Sequence, residues 1–216
     1  MLTQKRFNER FSPKQIKQAL VDWTIQHSGY EDRSYLGMSR IGECPRLLYT
    51  DFINVQRDWD VAHHMMCYAG YLWESDIKSR LRAAGLYADL SERQLIAEFD
   101  ERFRGHTDGE LLDGSLLEIK SVTQLKIEQI KSTRRIPIKN YHQVQVYLRH
   151  GGYKRAQVIY VARDTDDLFV YEVTPNREIQ DLLDDKARQI LLAVDLGHAP
   201  VCQCGRCQTS QADAER

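Results

Sequence analysis

Gly105-His-Thr-Asp-Gly-Glu-Leu-Leu-Asp-Gly-Ser-Leu-Leu-Glu-Ile-Lys-Ser-Val-Thr123 is typical of the centre of a β-hairpin. The alternating residues 102–111 are expected to form the first strand, and residues 115–122 the return strand. Asp113-Gly114 between them is a strong hairpin turn signal. We therefore expect two antiparallel strands that meet at Asp113-Gly114.

Two carboxylates and a lysine fall on this hairpin. Asp108, expected on the first strand, precedes the turn by about as many residues as Glu118 follows it, so the hairpin can bring the two side by side. Side chains two apart on a strand point to the same face, so Glu118 and Lys120 project together. Carboxylate oxygens hold Mg²⁺ or Mn²⁺, which can activate a water against a phosphodiester.

A surface hairpin with solvated charges is the alternative. It explains Glu118 and Lys120 as an exposed pair, but it does not explain the apolar Leu116, Leu117 and Ile119 around them. Strands with such dense apolar neighbours are usually buried, and buried charges need partners or a metal. The residues alone leave both interpretations open.

The length of 216 residues favours one domain with a sizeable core. No apolar run approaches the roughly 20 residues of a membrane span, and the N-terminus is polar, so we expect a cytoplasmic protein without membrane contact. A net charge of -1 indicates nothing about nucleic acid, which leaves that argument to the local distribution of charge.

Three of the five cysteines are packed into Cys202-Gln-Cys204-Gly-Arg-Cys207. This spacing suits a metal or a cluster better than disulfides in a reducing compartment. Cys44 becomes relevant because the three lack a fourth partner. Cys67 lies inside a predicted helix, and we expect it to be buried and unligated.

Helices are expected on both sides of the hairpin. One begins at Ser12-Pro13, a second is capped by Ser39 and runs to Ile53, and a third covers residues 61–85. In the third, Met66, Gly70, Trp73 and Ile77 are among the residues spaced for a buried face, with Gly70 allowing another backbone to approach. Further elements are a strand at 92–100, a helix at 141–150, strands at 156–162 and 168–173, and a helix at 176–196. This order predicts an α/β fold with a mixed sheet flanked by helices.

Glu74 follows Trp73 in the third helix and could reach a metal from there. The alternative is an exposed glutamate that pairs with Lys78 at i+4, and general rules for charged residues favour it.

Residues 124–140 are strongly basic. Their positive residues face only one acid, Glu128, and are Lys126, Lys131, Arg134, Arg135 and Lys139. Charge runs are usually solvated surface, but this one follows the carboxylates directly and could serve as a phosphate track.

Taken together and in order, several motifs resemble the PD-(D/E)XK nuclease superfamily, which has the restriction-endonuclease-like fold. They are Gly70…Glu74, Gly105-His-Thr-Asp108-Gly, Glu118-Ile-Lys120 and Gln143…Tyr147. Ser39…Cys44-Pro-Arg and the terminal cysteine triplet are similar to the RecB-like iron–sulfur branch, which includes CRISPR-associated RecB-type exonucleases and related phage proteins. The resemblance covers residues 39–207.

The resemblance implies roles on the hairpin. Asp108 and Glu118 would be metal ligands, with the backbone carbonyl of Ile119 completing the inner shell. Lys120 would orient or activate the attacking water and stabilise charge on the phosphate.

It implies further roles on the helices. Gln143 and Tyr147 would position the nucleic-acid backbone or Lys120, and Glu74 would be a carboxylate near the metal. The RecB-like branch usually has histidine where Glu74 stands, whereas other branches use glutamate.

By the same resemblance, a 4Fe-4S cluster would join the N-terminal part to the C-terminal tail. Its ligands would be Cys44, Cys202, Cys204 and Cys207, a set that suits such clusters. The triplet is more compressed than usual, so zinc is an alternative. The expected layout is a single nuclease domain over 1–216, with a helical arm at 1–38, the core at 39–207 and a disordered tail at 208–216.

The function implied is that of a divalent-metal-dependent deoxyribonuclease, acting as an exonuclease on single-stranded ends of DNA. The same analogy implies a CRISPR adaptation complex or phage recombination as its setting. Two alternatives stay open: a non-catalytic DNA-binding or partner-docking subunit with the same fold, and a zinc-stapled structural domain.

Overall fold

A computed structural model describes residues 12–28, 34–54, 60–88, 93–201 and 204. The chain divides into two compact units, one comprising Met1–Glu31 and Asp58–Leu72, the other Asp32–Arg57 and Trp73–Arg216. None of the described helices is long and apolar enough to cross a membrane. The predicted tail at 208–216 lies outside the described residues, and the single-domain layout stays a prediction.

The first unit contains helix α1, Pro13–His27, and the beginning of α3. α1 begins at Ser12-Pro13, as the sequence predicts, and Ser12 and Gln15 form a capping box there. Ser28 Oγ lies 2.9 Å from His64 Nδ1, and the ring of Trp23 meets Tyr68 edge to face at 5.3 Å. These contacts join the two segments of the unit.

The remaining elements follow in chain order. They are β1 Leu36–Gly37, a short 3₁₀ helix Met38–Arg40, α2 Pro45–Ile53, α3 Val61–Ala83, β2 Gln94–Ala97, β3 Asp100–His106, β4 Gly109–Glu110, β5 Leu116–Val122, α4 Gln124–Thr133, α5 Ile138–Gly151, β6 Ala156–Ala162, β7 Leu168–Val173 and α6 Arg177–Leu196. The predicted bounds of β6 and β7 match those observed.

The strands form two sheets, with the orders β1-β3-β2 and β4-β5-β6-β7. β5 and β6 are parallel, which requires a crossover connection, and α4 and α5 supply it. β4 pairs with β5, and β6 with β7, in antiparallel fashion. The prediction of an α/β fold with mixed sheets flanked by helices is therefore confirmed.

Apolar side chains pack on both faces of β5 and β6, because neighbouring residues on a strand point to opposite faces. Val158 and Tyr160 of β6 belong to the larger cluster, which includes Leu183 and Ile190 of α6. Ile159 belongs to the smaller cluster, with Ile77 and Trp73 of α3 among its members. Residues of β5 that share a face with Tyr160 are thus enclosed by helices.

Three predictions about helices α2 and α3 are wrong. Ser39 lies in the 3₁₀ helix and does not cap α2, which begins at Pro45 directly after Cys44. In α3, Met66 is exposed, and a Cβ added at Gly70 would meet no described atom within 4 Å, so no backbone among the described residues approaches there. Cys67 is half-buried and not buried as expected, with its sulfur 3.5 Å from His63 Nε2.

Candidate active site

The hairpin predicted around Asp113-Gly114 is present. Gly109 pairs with Leu117 across β4 and β5, and the Leu111 N–H donates to the Ser115 carbonyl at 2.9 Å. Gly114 has φ +77, a conformation that glycine adopts readily, and Asp113 Oδ1 accepts from the Ser115 N–H. Turn chemistry local to these residues therefore sets the register.

The prediction that Asp108 lies on a strand is wrong. Asp108 lies in the short break between β3 and β4. Its Oδ2 accepts from the backbone N–H of Ile119 at 2.6 Å, and its carbonyl accepts from the Tyr87 hydroxyl at 3.4 Å. The break frees the side chain to turn onto β5, where it reaches the residue next to Glu118.

Glu118 is a buried carboxylate, with only 1 % of its side chain exposed. Its Oε1 accepts from Gln143 Nε2 at 2.7 Å and lies 2.5 Å from Lys120 Nζ. Its Oε2 is buried and has no hydrogen-bond partner among the described residues. One oxygen of this carboxylate is thus held on both sides, while the other is left for a ligand.

Lys120 has a neighbour that the sequence did not reveal. Tyr160 lies opposite Lys120 in the parallel register of β5 and β6, and Asn140 Nδ2 donates to the Tyr160 hydroxyl at 3.1 Å. Burial raises the pKa of Tyr160 to about 12, so this hydroxyl stays protonated near neutral pH. No local signal marks these residues, because parallel pairing joins segments about 40 residues apart.

Glu74 pairs with Lys78 one turn on, at 2.5 Å, as the alternative interpretation predicted. Glu74 is half-buried and not exposed as that interpretation expected, and the Lys78 side chain is only 9 % exposed. The Glu74 carboxylate nonetheless acts on the site, since its charge raises the pKa of both Asp108 and Glu118. Its role as a metal ligand stays a prediction.

The carboxylates of the site repel one another. Burial, followed by the charges of Glu118 and Glu74, raises the pKa of Asp108 well above its ordinary value. Burial likewise raises the pKa of Glu118, although Lys120 and Gln143 act in the opposite direction. Burial lowers the pKa of Lys120, but the charges of Glu118 and Asp108 outweigh it, and the pKa rises. Lys120 therefore stays cationic beside two carboxylates whose charged form is disfavoured by burial.

Tyr147 is placed differently from Gln143, although both lie on the buried side of α5. Only 2 % of Tyr147 is exposed, and it packs on Gly105, where an added Cβ would lie 2.8 Å from its Cε1. Gly105 is therefore needed for this close approach. Both side chains are almost fully buried, and Gln143 contacts Glu118, while the roles predicted for Gln143 and Tyr147 stay predictions.

The donors present fit a divalent cation with an incomplete protein shell. Asp108 and Glu118 offer oxygen ligands, and Glu118 Oε2 is a buried acceptor without a partner among the described residues. Within the described ranges, no three His, Cys, Asp or Glu side chains form a ready metal site. Mg²⁺ commonly binds through one or two carboxylates and keeps several waters, so two carboxylates suffice.

The proposed cysteine ligands lie only partly within the described residues. Cys44 precedes α2 and is half-buried, and Cys204 is half-buried as well. Cys202 and Cys207 lie outside the described residues. The cluster therefore stays a prediction from the sequence.

The basic segment at 124–140 has more ion pairs than its sequence indicated. Lys131 pairs with Asp167 at 2.8 Å, and Lys139 pairs with Glu43 at 3.2 Å, so acids distant in sequence face two of its five cations. Arg134 and Arg135 are exposed and form no ion pair within the described part of the chain. Tertiary contacts thus divide the patch into a neutralised part and an open part.

No protein-family model and no curated protein sequence matches this chain. Among solved structures, LHK-Exo, an alkaline exonuclease from Laribacter hongkongensis, matches with a TM-score of 0.59 at 13% identity, over 82% of this chain and 93% of that one. LHK-Exo in complex with dAMP gives a TM-score of 0.60 with the same identity and coverage. SSO0001 gives 0.55 at 15% identity, over 81% of this chain and 86% of that one. The chain shares its fold with these proteins.

Proposed function

We propose that this protein is a divalent-metal-dependent deoxyribonuclease that hydrolyses DNA phosphodiesters. The observation that carries the proposal is the buried Glu118 carboxylate, with Lys120 and Gln143 on one oxygen and no described partner on the other, beside Asp108. A binding module has no need of two buried carboxylates that repel each other, because burying unsatisfied charge costs stability.

Each side chain has a distinct task in this proposal. Asp108 and Glu118, with the Ile119 carbonyl, would hold Mg²⁺ or Mn²⁺, which lowers the pKa of water and offsets charge on the phosphate. Gln143 fixes the rotamer of Glu118. Lys120, cationic beside Glu118, orients the attacking water and stabilises the charge that develops on the phosphate oxygens.

Exonuclease action on single-stranded DNA ends is the finer proposal. It is supported by the RecB-like resemblance of the motifs and by a fold shared with an alkaline exonuclease. A place in a CRISPR adaptation or phage recombination complex rests on the motif resemblance alone.

Cleavage of end-labelled single-stranded and duplex DNA in Mn²⁺, Mg²⁺ or EDTA tests the proposal. We expect metal-dependent cutting by the wild type, loss of cutting in Lys120→Ala, and a product ladder that gives the polarity. Well-folded wild-type protein that binds DNA but does not cut it under any of these conditions would favour the non-catalytic binding subunit instead.

We also propose that Cys44, Cys202, Cys204 and Cys207 hold a 4Fe-4S cluster. Iron and acid-labile sulfide in the anaerobically purified protein, lost in Cys204→Ala and retained in Cys67→Ala, would support it. Zinc without sulfide would replace the cluster with a structural zinc site.

A further inference from the structure

The turn between α4 and α5 carries two adjacent arginines. Arg134 and Arg135 are both exposed, and neither side chain forms an ion pair with the described residues. Nearby cations differ, because Lys131 is paired with Asp167 and Lys139 with Glu43. Of the three cations in this segment without an ion pair among the described residues, two therefore lie together at the turn, and the third, Lys126 of α4, donates to Gln129 at 2.8 Å.

The turn is held in a defined conformation. Arg134 has φ 51 and ψ 33, a left-handed conformation that non-glycine residues seldom adopt. The Tyr171 hydroxyl of β7 donates to the Arg134 carbonyl at 3.0 Å, and Thr133 Oγ1 lies 3.4 Å from the Arg135 carbonyl. The two arginines thus project from a backbone that β7 anchors, which lowers the entropic cost of ordering them on a ligand.

The turn leads directly into the helix that contacts the carboxylates. α5 begins at Ile138, Asn140 on its first turn binds the Tyr160 hydroxyl beside Lys120, and Gln143 binds Glu118. Ile138 and Gln143 are separated by about 7.5 Å along the helix, at 1.5 Å per residue. The arginines therefore stand at the end of α5 that borders the candidate active site.

We propose that Arg134 and Arg135 bind the DNA backbone where it passes the N-terminal end of α5. Arginine suits this task because its planar guanidinium donates two parallel hydrogen bonds to a phosphate. The proposal rests on the proposed nuclease function for the identity of the ligand, and it names the surface that holds the substrate.

Salt dependence of binding tests this surface without cleavage. Fluorescence anisotropy with a labelled single-stranded oligonucleotide in EDTA, and again in Ca²⁺, gives the slope of log Kobs against log[NaCl]. Each phosphate contact contributes about 0.7 to that slope on single strands, so Arg134→Gly/Arg135→Ala is expected to reduce its magnitude by about 1.4. Glycine at position 134 tolerates the left-handed backbone, which protects the fold of the variant.

The matched control removes two exposed arginines from α6, in Arg177→Ala/Arg188→Ala, and is expected to leave the slope unchanged. Arg134→Lys/Arg135→Lys keeps the charge and is expected to retain most of the slope. An equal slope in the Gly/Ala variant and the wild type, or an equal loss in the α6 control, would overturn the proposal, as would absence of DNA binding by the wild type.

The outcomes also separate this proposal from the nuclease function. A wild type that cuts DNA, with a slope unaffected by the arginines, would reject the surface and keep the nuclease. A reduced slope with no cutting would keep the surface and reject catalysis.

Discussion

Two buried glutamines of α5, two residues apart, differ in what surrounds them. Gln145 lies in a neutral network: its Oε1 accepts from the Asn176 N–H at 2.8 Å and from Gln180 Nε2 at 3.2 Å, and its Nε2 donates to the Thr174 carbonyl at 2.9 Å. Gln143 instead binds one oxygen of Glu118, whose other oxygen has no described partner.

The difference separates a structural role from a functional one. The Gln145 network satisfies its polar groups and ties α5 to α6, which stabilises the fold. The Gln143 network leaves charge and an acceptor unsatisfied inside the protein, which costs stability unless a ligand completes it. Burial of a polar residue therefore does not by itself indicate a ligand site, and what the proposed function uses is the Glu118 oxygen that has no described partner.

The largest expected effect is on catalysis. Glu118→Gln keeps the shape of the side chain and removes its charge, so we expect the cleavage rate to fall by about 10²–10³-fold or more, the usual scale for losing one preorganised electrostatic group. Single-turnover cleavage in Mn²⁺ measures this. Gln145→Ala, assayed below its melting temperature, should cut at the wild-type rate per folded molecule, and a comparable loss there would remove the distinction between the networks.

The converse effect is on stability. Gln145→Ala deletes three hydrogen bonds and leaves the buried Gln180 amide with one partner fewer, so we expect the free energy of unfolding to fall by about 2–4 kcal/mol. Urea denaturation followed by circular dichroism measures it. A loss below about 0.5 kcal/mol would show that water replaces this network freely.

A smaller effect of opposite sign is expected at Asp108, where removal of the charge should stabilise the metal-free protein. The pKa of Asp108 in the folded protein is raised above its ordinary value of 3.8, so the folded state binds a proton that the unfolded chain has lost. Stability of the metal-free wild type should therefore decline as the pH rises above about 4, until the raised pKa is passed.

Asp108→Asn removes this penalty and can still accept from the Ile119 N–H. In EDTA at pH 7 we expect its Tm to exceed that of the wild type by roughly 2–4 °C, the equivalent of about 1 kcal/mol for a chain of this size, with a flatter pH profile. A lower Tm with an unchanged profile would mean that the carboxylates do not strain the fold.

The smallest expected effect is a shift in a pH profile. The hydrogen bond from Gln143 lowers the pKa of Glu118, so in Gln143→Ala that pKa rises. Because Glu118 acts as a carboxylate, the acid limb of the cleavage rate should move to higher pH. Cleavage rates from pH 5 to 8 measure this shift. In Gln145→Ala, the control, the fall in rate at low pH should occur at the same pH as in the wild type.

Local chemistry made much of the site predictable from the sequence. The Asp113-Gly114 turn and the two-residue strand period are enough to place Glu118 beside Lys120 and opposite the Asp108 region. Helix α6 was predictable for a similar reason, since the Asn176 side chain caps it by accepting from the Ile179 N–H.

Features that depend on contacts distant in sequence were not predictable. Tyr160 reaches Lys120 only through the parallel register of β5 and β6, and Asp167 reaches Lys131 only because β7 lies beside α4. The break at Asp108 also depends on tertiary contacts, because the Ile119 N–H and Tyr87 hydroxyl that hold it come from other elements. Period and turn signals contain no information about such partners.

The central claim is that Asp108 and Glu118 form a divalent-cation site, and thermal unfolding of the EDTA-stripped protein against added Mn²⁺ or Mg²⁺ tests it most directly. A ligand at 100 times its Kd stabilises the folded state by about 2.7 kcal/mol, which corresponds to a rise in Tm of roughly 5–11 °C here. We predict that rise for the wild type and little or none for Asp108→Asn. An unchanged Tm in the wild type, or an equal rise in both proteins, would contradict the account.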